Sequence, residues 1–388
     1  MKRLLALVSV IGMMLALTPA ISHAGGPTEG GITSDNVEYV RFVPFEVGTA
    51  TGSRLIGRYL YITSWRSFSI YDTQPDPSNP TLLSTTPFAK DATTQGDPAR
   101  FENEDVSTNG KFLVFSETTP RSILYIYDTE DKTNPTLLSQ TSGLGEHTMS
   151  CILHCHYLLG SSGALIDVHD PAKPKLIGNW MKELGITSGV HDVTEVKNGY
   201  ILDATYSGPF HYIDIRDPLH PKILAQGVRP GNRPPIIHSI AWPRQGKDRY
   251  ILVQEEQNFK PQCGPDNGGF FVFDTKGWKK THTFQYVDHY DAVNGDFVDG
   301  NPPANALGCS AHWFEARDDF HNGGIVADGF YEHGSKFFNV DHKTGKLKVT
   351  GWFEPYGGST SADHWATHNI VYAIDYARGF DILKYNGK

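Results

Sequence analysis

The stretch Ala164-Leu165-Ile166-Asp167-Val168-His169-Asp170-Pro171-Ala172-Lys173-Pro174-Lys175-Leu176-Ile177 decides the fold. An apolar strand ends on an aspartate, two prolines follow, and an apolar pair opens the next strand. Apolar residues in alternation make a half-buried strand. The aspartate can bond the backbone of the turn that follows, while proline presets the turn's φ and prevents further ladder pairing.

Working outward, the same segment recurs. Phe68-Ser69-Ile70-Tyr71-Asp72 precedes Pro77 and Pro80, residues 124–128 precede Pro135, and residues 211–214 precede Pro218 and Pro221. Residues 270–274, 336–341 and 379–381 repeat the strand and its aspartate without the prolines. Asp72, Asp128, Asp167, Asp214, Asp274, Asp341 and Asp381 therefore mark seven copies, and their repetition assigns them to structural turns rather than to catalysis. Leu82-Leu83, Leu137-Leu138, Leu176-Ile177 and Ile223-Leu224 open an outer strand, and further strands lie upstream at 59–63, 112–115, 200–204 and 250–253. Four short strands per unit, repeated, are the pattern of a propeller blade. The reading is an all-β, seven-bladed β-propeller. Its last copy lacks an outer strand, and residues 38–45 are a strand without a blade, so pairing the two predicts a ring closed by the N-terminal strand.

In these residues the chain resembles the LVIVD-repeat family, whose units read strand, Ile-x-Asp, Pro-x-x-Pro, apolar strand. Asp-Pro-x-x-Pro stands intact at Asp170-Pro171 to Pro174 and at Asp217-Pro218 to Pro221. The resemblance covers nearly the whole chain after the first 24 residues and is most specific in the first four copies. It implies a β-propeller and no single activity, because a fold hosts many functions.

Lys2 and Arg3, the apolar run 4–17 and the small-x-small segment Ser22-His23-Ala24 read as a secretory signal peptide over 1–24. Residues 25–388 are then one propeller domain, secreted or held in the periplasm or cell envelope. No later apolar run is long enough to span a bilayer, so no membrane insertion is expected. The 39 glycines and 24 prolines punctuate short Val/Ile/Tyr/Phe runs, as all-β chains require. A formal net charge of -9 argues against a nucleic-acid partner, which demands a basic surface. Four cysteines in an exported chain predict disulfides, with Cys151–Cys155 and Cys263–Cys309 the expected pairing.

Histidines recur at one register of the repeat. His147, His191, His238, His312 and His364 each sit near the start of the innermost strand of a unit, and Glu104 holds the matching place in the second unit. Innermost strands line a propeller's channel, so these side chains are expected to converge on the axis. Neutral imidazoles with a carboxylate beside them suit a transition metal: zinc, iron or copper. Three or four ligands, with the other residues in support, is the usual number. The arrangement is similar, at the level of fold only, to the axial histidines of carotenoid-cleaving oxygenases and of selenium-binding proteins with methanethiol oxidase activity. Trp313 and Trp365 follow two of these histidines; strand alternation points them into the core between blades, with a ligand-facing role as the alternative.

Two functions follow. One is a metal-dependent enzyme, a hydrolase or an oxidoreductase, acting on a small molecule or extracellular ligand at a channel mouth shaped by the insertions 254–269 and 286–308. The other is a non-catalytic extracellular binding propeller in which the histidine ring is structural. No nucleophile-elbow, P-loop or dinucleotide motif occurs in a fitting context.

Overall fold

The computed structural model describes residues 29–388 apart from 46–49, 65–66, 88–105, 118–121, 232, 234, 258–263, 265–267, 293–307, 377 and 388. Among the described residues the recurring element is a four-stranded antiparallel sheet with strands in sequence order. The opening stretch lies in the sheet of Met149–Ile152, Tyr157–Gly160, Ala164–Asp167 and Lys175–Asn179. Sheets that run from Ala50–Ile56 to Thr81–Pro87, and from Ser107–Thr108 to Thr136–Ser142, repeat it. The next two sheets begin at Val190–Lys197 and Ile236–Ala241, and a short parallel pairing of Lys222–Gly227 with Thr283–Tyr290 joins them into eight strands. The sheet that begins at Phe314–Ala316 gains a fifth strand, Gly31–Thr33, against Leu347–Pro355. In the last sheet Val37–Pro44 takes the outer place, antiparallel to Gly379–Tyr385, with Val37 opposite Tyr385 and Pro44 opposite Gly379.

Six of the marker aspartates form the expected turns. Oδ1 of Asp72, Asp128, Asp167, Asp214, Asp274 and Asp341 accepts the backbone N–H two residues on, at 2.8–3.2 Å. This self-bonding is why aspartate ends a strand so well. Asp76, Asp131, Asp170 and Asp217 repeat the device between the strands, each accepting the N–H two residues on. Asp381 departs from the pattern. It lies inside Gly379–Tyr385, opposite Phe42 and Ala373, and is buried against the guanidinium of Arg378. Its strand runs on for four residues, so no turn follows to cap.

The apolar side chains pack between sheets rather than within them. Tyr61 and Phe68 of one sheet meet Phe115, Tyr125 and Tyr127 of the next, with the Phe68 and Tyr127 rings edge to face at 5.1 Å. Leu60, Ile62 and Tyr71 on the other face of that first sheet meet Tyr372, Phe380 and Ile382 of the last. Each sheet is thus buried on both faces, which explains strands that are apolar throughout.

The hairpin of Met149–Ile152 and Tyr157–Gly160 turns through Leu153, His154 and Cys155, all at positive φ (53°, 61° and 58°). Non-glycine residues resist this conformation, and a disulfide between Cys151 and Cys155, with Cα atoms 4.6 Å apart, holds the turn shut. The other expected pair, Cys263–Cys309, includes Cys263, which lies outside the described residues, as does the segment 1–24.

Phe42 tests the contribution of the outer strand of the last sheet: it is buried, and the Arg378 guanidinium lies 5.0 Å from its ring centre. Phe42→Ala is expected to cost about 3 kcal/mol, read as a lower urea midpoint at unchanged slope.

Candidate metal centre

The innermost strands carry a common irregularity. In Val190–Lys197 the pairing with the neighbouring strand skips from Val190 to Asp192, leaving His191 as the extra residue of a β-bulge. In Ile236–Ala241 it skips from Ile237 to Ser239, and the extra residue is His238. A bulge re-aims the side chain it frees from the ladder. Here the two bulges bring His191 and His238, 47 positions apart in the chain, to a ring-centroid distance of 3.9 Å.

The contact continues in both directions. Nε2 of His147 lies 2.9 Å from Nε2 of His191, so one ring donates to the other. The His238 and His312 centroids are 4.1 Å apart, and the His312 and Tyr331 centroids 4.8 Å. His191, His238 and His312 are buried and His147 is half-buried. Backbone carbonyls fix their places. The Thr148 hydroxyl donates to the carbonyl of His191, and that of Ser239 to the carbonyl of His312 at 3.2 Å. His312 Nδ1 lies 2.7 Å from the carbonyl of Ser361, which can only accept. The proton of a neutral His312 is therefore on Nδ1, and Nε2 carries the lone pair.

Two further members of the cluster come from outside the repeated position. Glu256, the last residue of Tyr250–Glu256, offers a carboxylate oxygen within 4.8 Å of ring nitrogens of both His191 and His238, which are themselves within that distance of each other. The Tyr331 hydroxyl donates to Oε1 of Glu256. Tyr331 is held at φ 44°, outside the comfortable range of an aromatic residue, by two backbone hydrogen bonds with Thr360. Strain of this kind is retained where a side chain must be aimed. The preceding residue, Glu255, belongs to a different set: it accepts from Arg229 and Arg233, and Arg233 also holds Asp291 at 2.7 Å. Glu255 is buried, and burial raises its carboxyl above the ordinary range despite the two guanidiniums. Neighbours on a strand face opposite ways, so only Glu256 of the two joins the histidines.

Four of the histidines expected at one register thus form a continuous stack. His364 does not join it. The bulge in its strand, Thr360–Trp365, frees Ser361 instead, and His364 lies three residues further along. There its Nε2 is 2.8 Å from Ser53 Oγ, and its Nδ1 is 3.5 Å from Glu315 Oε2. Glu104 lies outside the described residues. Trp313 packs in part against a core cluster between sheets, as expected, and its ring also lies 5.0 Å from that of His238. Trp365 does pack in a core cluster, against Phe337 and Tyr385. Sequence reasoning missed Glu256 and Tyr331. The one available signal was the insertion starting at residue 254, whose first residues carry the carboxylate.

A set of three buried donors, two imidazoles and a carboxylate, with further rings beside it, matches the nitrogen and oxygen preferences of first-row transition metals. Tyr331 supplies the supporting hydrogen bond that orients a ligating carboxylate. An exposed group, Asp318, Asp319 and His368, also comes within the same distance, but all three of its members are open to solvent and Asp319 is engaged by the Arg317 guanidinium.

Strands next to those of the stack carry carboxylates in unusual states. Asp328 is fully buried, accepts from Gln254 Nε2, and is pushed well above the usual carboxylate range by burial and then by Asp363. Burial pushes Asp363 up to about 8, the Ser335 hydroxyl at 2.7 Å pulls it partly back, and Asp381 and Glu315 add to the rise.

No protein-family model matches the chain, and no curated protein does. Among solved structures it is similar to the WD40 repeats of RRP9, at TM-score 0.59 and 11% identity, over 93% of this chain and 100% of that one. It is also similar to Raptor of Chaetomium thermophilum, at TM-score 0.54 and 11% identity, over 88% of this chain and 28% of that one. At such identity the likeness speaks for fold alone, and with the strand order it makes this chain an all-β protein of the β-propeller kind.

A carboxyl whose folded pKa is raised favours the folded state only while it is protonated. Its stabilisation is complete below the unfolded value near 4 and is lost as pH climbs through the folded value. With Asp363 at about 8, stability is expected to fall steadily between about pH 4 and pH 8. Asp363→Asn, which keeps the Ser335 contact, is expected to flatten that slope in denaturation curves taken at pH 5 and pH 8.5.

Proposed function

We propose that this chain is a seven-bladed propeller whose axis binds a transition metal ion through His191, His238 and Glu256. The blade count rests on the four-stranded sheets and on core clusters that link each sheet to the next and the last to the first. Pairing of Val37–Pro44 with Gly379–Tyr385 supports closure by the N-terminal strand. The single observation behind the metal is the approach of three donor atoms from two different sheets within 4.8 Å. His147 and His312 extend the donor set on either side.

Zinc, iron or copper bound here would activate water or exchange electrons, the two chemistries open to a His/Glu site. The chain's own residues do the rest. Tyr331 holds Glu256 by one oxygen and keeps it from turning toward the arginines that satisfy Glu255. The Ser361 carbonyl fixes the His312 tautomer. Tyr206, partly exposed with its ring 6.2 Å from that of His191, marks the side from which a small molecule would reach the cluster. The Cys151–Cys155 bridge suits export to an oxidising compartment, as the basic and apolar start of the chain proposes. The LVIVD reading of the repeats agrees with the paired aspartate turns.

Metal analysis of the purified protein decides this. About one equivalent of a transition metal is expected, or uptake of one on titration with zinc, iron(II) or copper(II), with a rise in melting temperature. The double variant His191→Ala/His238→Ala should lose it and stay folded by circular dichroism, whereas His364→Ala should retain it. A protein that neither contains nor takes up these metals would make the stack a structural one, in a propeller that binds partners by its loops.

A further inference from the structure

Further along the innermost strands, a second constellation has formed that the metal reading does not use. Ser53 of Ala50–Ile56, His364 of Thr360–Trp365 and Glu315 of Phe314–Ala316 come from three different sheets. Ser53 Oγ is 2.8 Å from His364 Nε2, and Glu315 Oε2 is 3.5 Å from His364 Nδ1. Hydroxyl and carboxylate thus address opposite nitrogens of one ring, the order required of nucleophile, base and orienting acid. Glu315 is itself held: its Oε2 accepts the Trp365 N–H at 2.9 Å. The carboxylate–imidazole distance is loose for a hydrogen bond, and catalytic contacts are commonly loose before substrate binds.

All three residues line one cavity of about 250 Å³. Its other walls include Leu55, Ile240, Trp313 and Phe314, which are apolar, and Arg54, which is cationic. The His364 side chain is 13% exposed and Glu315 39%, so solvent and a small substrate reach the ring. A cavity smaller than the usual ligand pocket suits a short acyl group.

We propose that Ser53, His364 and Glu315 form a serine-nucleophile site that hydrolyses short-chain carboxylic esters, independently of the metal. Ser53 Oγ attacks the ester carbonyl carbon while its proton passes to His364 Nε2. The bond from that carbon to the alkoxy oxygen then breaks, and His364 returns the proton to the departing alcohol. Water attacks the acyl-serine next, giving one proton to His364, which passes it to Ser53 Oγ as the carboxylic acid leaves. Ester and water become acid and alcohol, and no redox partner is needed. Glu315 is the positioning residue, holding the tautomer with Nε2 toward Ser53.

The test uses the purified chain with a fluorophosphonate probe and with p-nitrophenyl acetate. Peptide mass mapping should find the phosphonyl adduct on Ser53, and ester hydrolysis should exceed the buffer rate. Ser53→Ala should abolish both, and His364→Gln should lower hydrolysis about 100-fold or more. Glu315→Gln should lower kcat about 10-fold or more with KM little changed, and Glu315→Asp should restore it in part; a merely structural Glu315 would leave kcat in place. Chelator treatment should leave hydrolysis unchanged, and Ser53→Ala should leave metal content unchanged, which separates this site from the metal centre. If Ser53→Ala misfolds, the adduct position in the unaltered chain decides alone. No adduct on Ser53, an adduct elsewhere, hydrolysis at the buffer rate, or hydrolysis lost on chelation would overturn the proposal.

Discussion

Everything in this molecule depends on the fact that its sheets are apolar on both faces. A sheet with one wet face can end a fold, but one with two must find a neighbour on each side. Tyr61 and Phe68 look to the following sheet while Leu60 and Ile62 look to the last. Burial of large aromatic side chains dominates such interfaces, at roughly 25 cal/mol per Å² of apolar area removed from water. Sheets satisfied in this way stand side by side with their first strands together. The convergence of the innermost strands is therefore a by-product of core packing, and the cluster of His147, His191, His238 and His312 inherits its position from hydrophobic contacts far from it.

The innermost strands pay for this placement in polar groups, because they have a neighbour on one side only and their backbones crowd. Hydroxyls answer most of the demand: Thr148 and Ser239 each donate to the carbonyl of a histidine on the next strand, and Ser150 reaches Asp192 at 3.2 Å. Carboxylates answer less well. Oδ2 of Asp328 and Oδ2 of Asp363 have no hydrogen-bond partner among the described residues, and both carboxyls are driven toward the protonated form. A buried charge without a partner is costly enough that the group takes up a proton instead. Burial raises the carboxyl of Asp203 as well, and His211 Nδ1 at 2.8 Å pulls it partly back.

The repeat was legible because its marks are local. An aspartate that bonds the N–H two residues on does so wherever it falls, so six of seven marker positions read correctly from the chain alone. Asp381 carried the same sequence mark without the turn that gives it meaning. The pairing of Val37–Pro44 with the final strand was legible as well, from an unmatched strand at each end of the repeats. The site was legible only where it repeats. Four histidines could be aligned, but bulges set which residue of each strand is aimed inward, and a one-residue slip exchanges the faces. His191 and His238 are bulge residues, whereas the corresponding bulge near His364 frees Ser361. Glu256 and Tyr331 were hidden for another reason: they reach the cluster from the end of a second strand and from a strained turn, positions without counterparts elsewhere in the repeat.

Trp313 stands between the two histidine-containing clusters. Its ring packs edge-on against His238, and it also lines the cavity that holds Ser53, His364 and Glu315. Ser239 adjoins both as well, as a wall of the cavity and as the residue after His238, with its hydroxyl committed to Gln254 and to the carbonyl of His312. The boundary is therefore an aromatic ring and a hydroxyl whose hydrogen bonds point into the strands. The buried stack with its carboxylate and the imidazole beside Ser53, 13% exposed, are therefore divided by that ring and that hydroxyl, and each histidine's neighbours are set by its own strand.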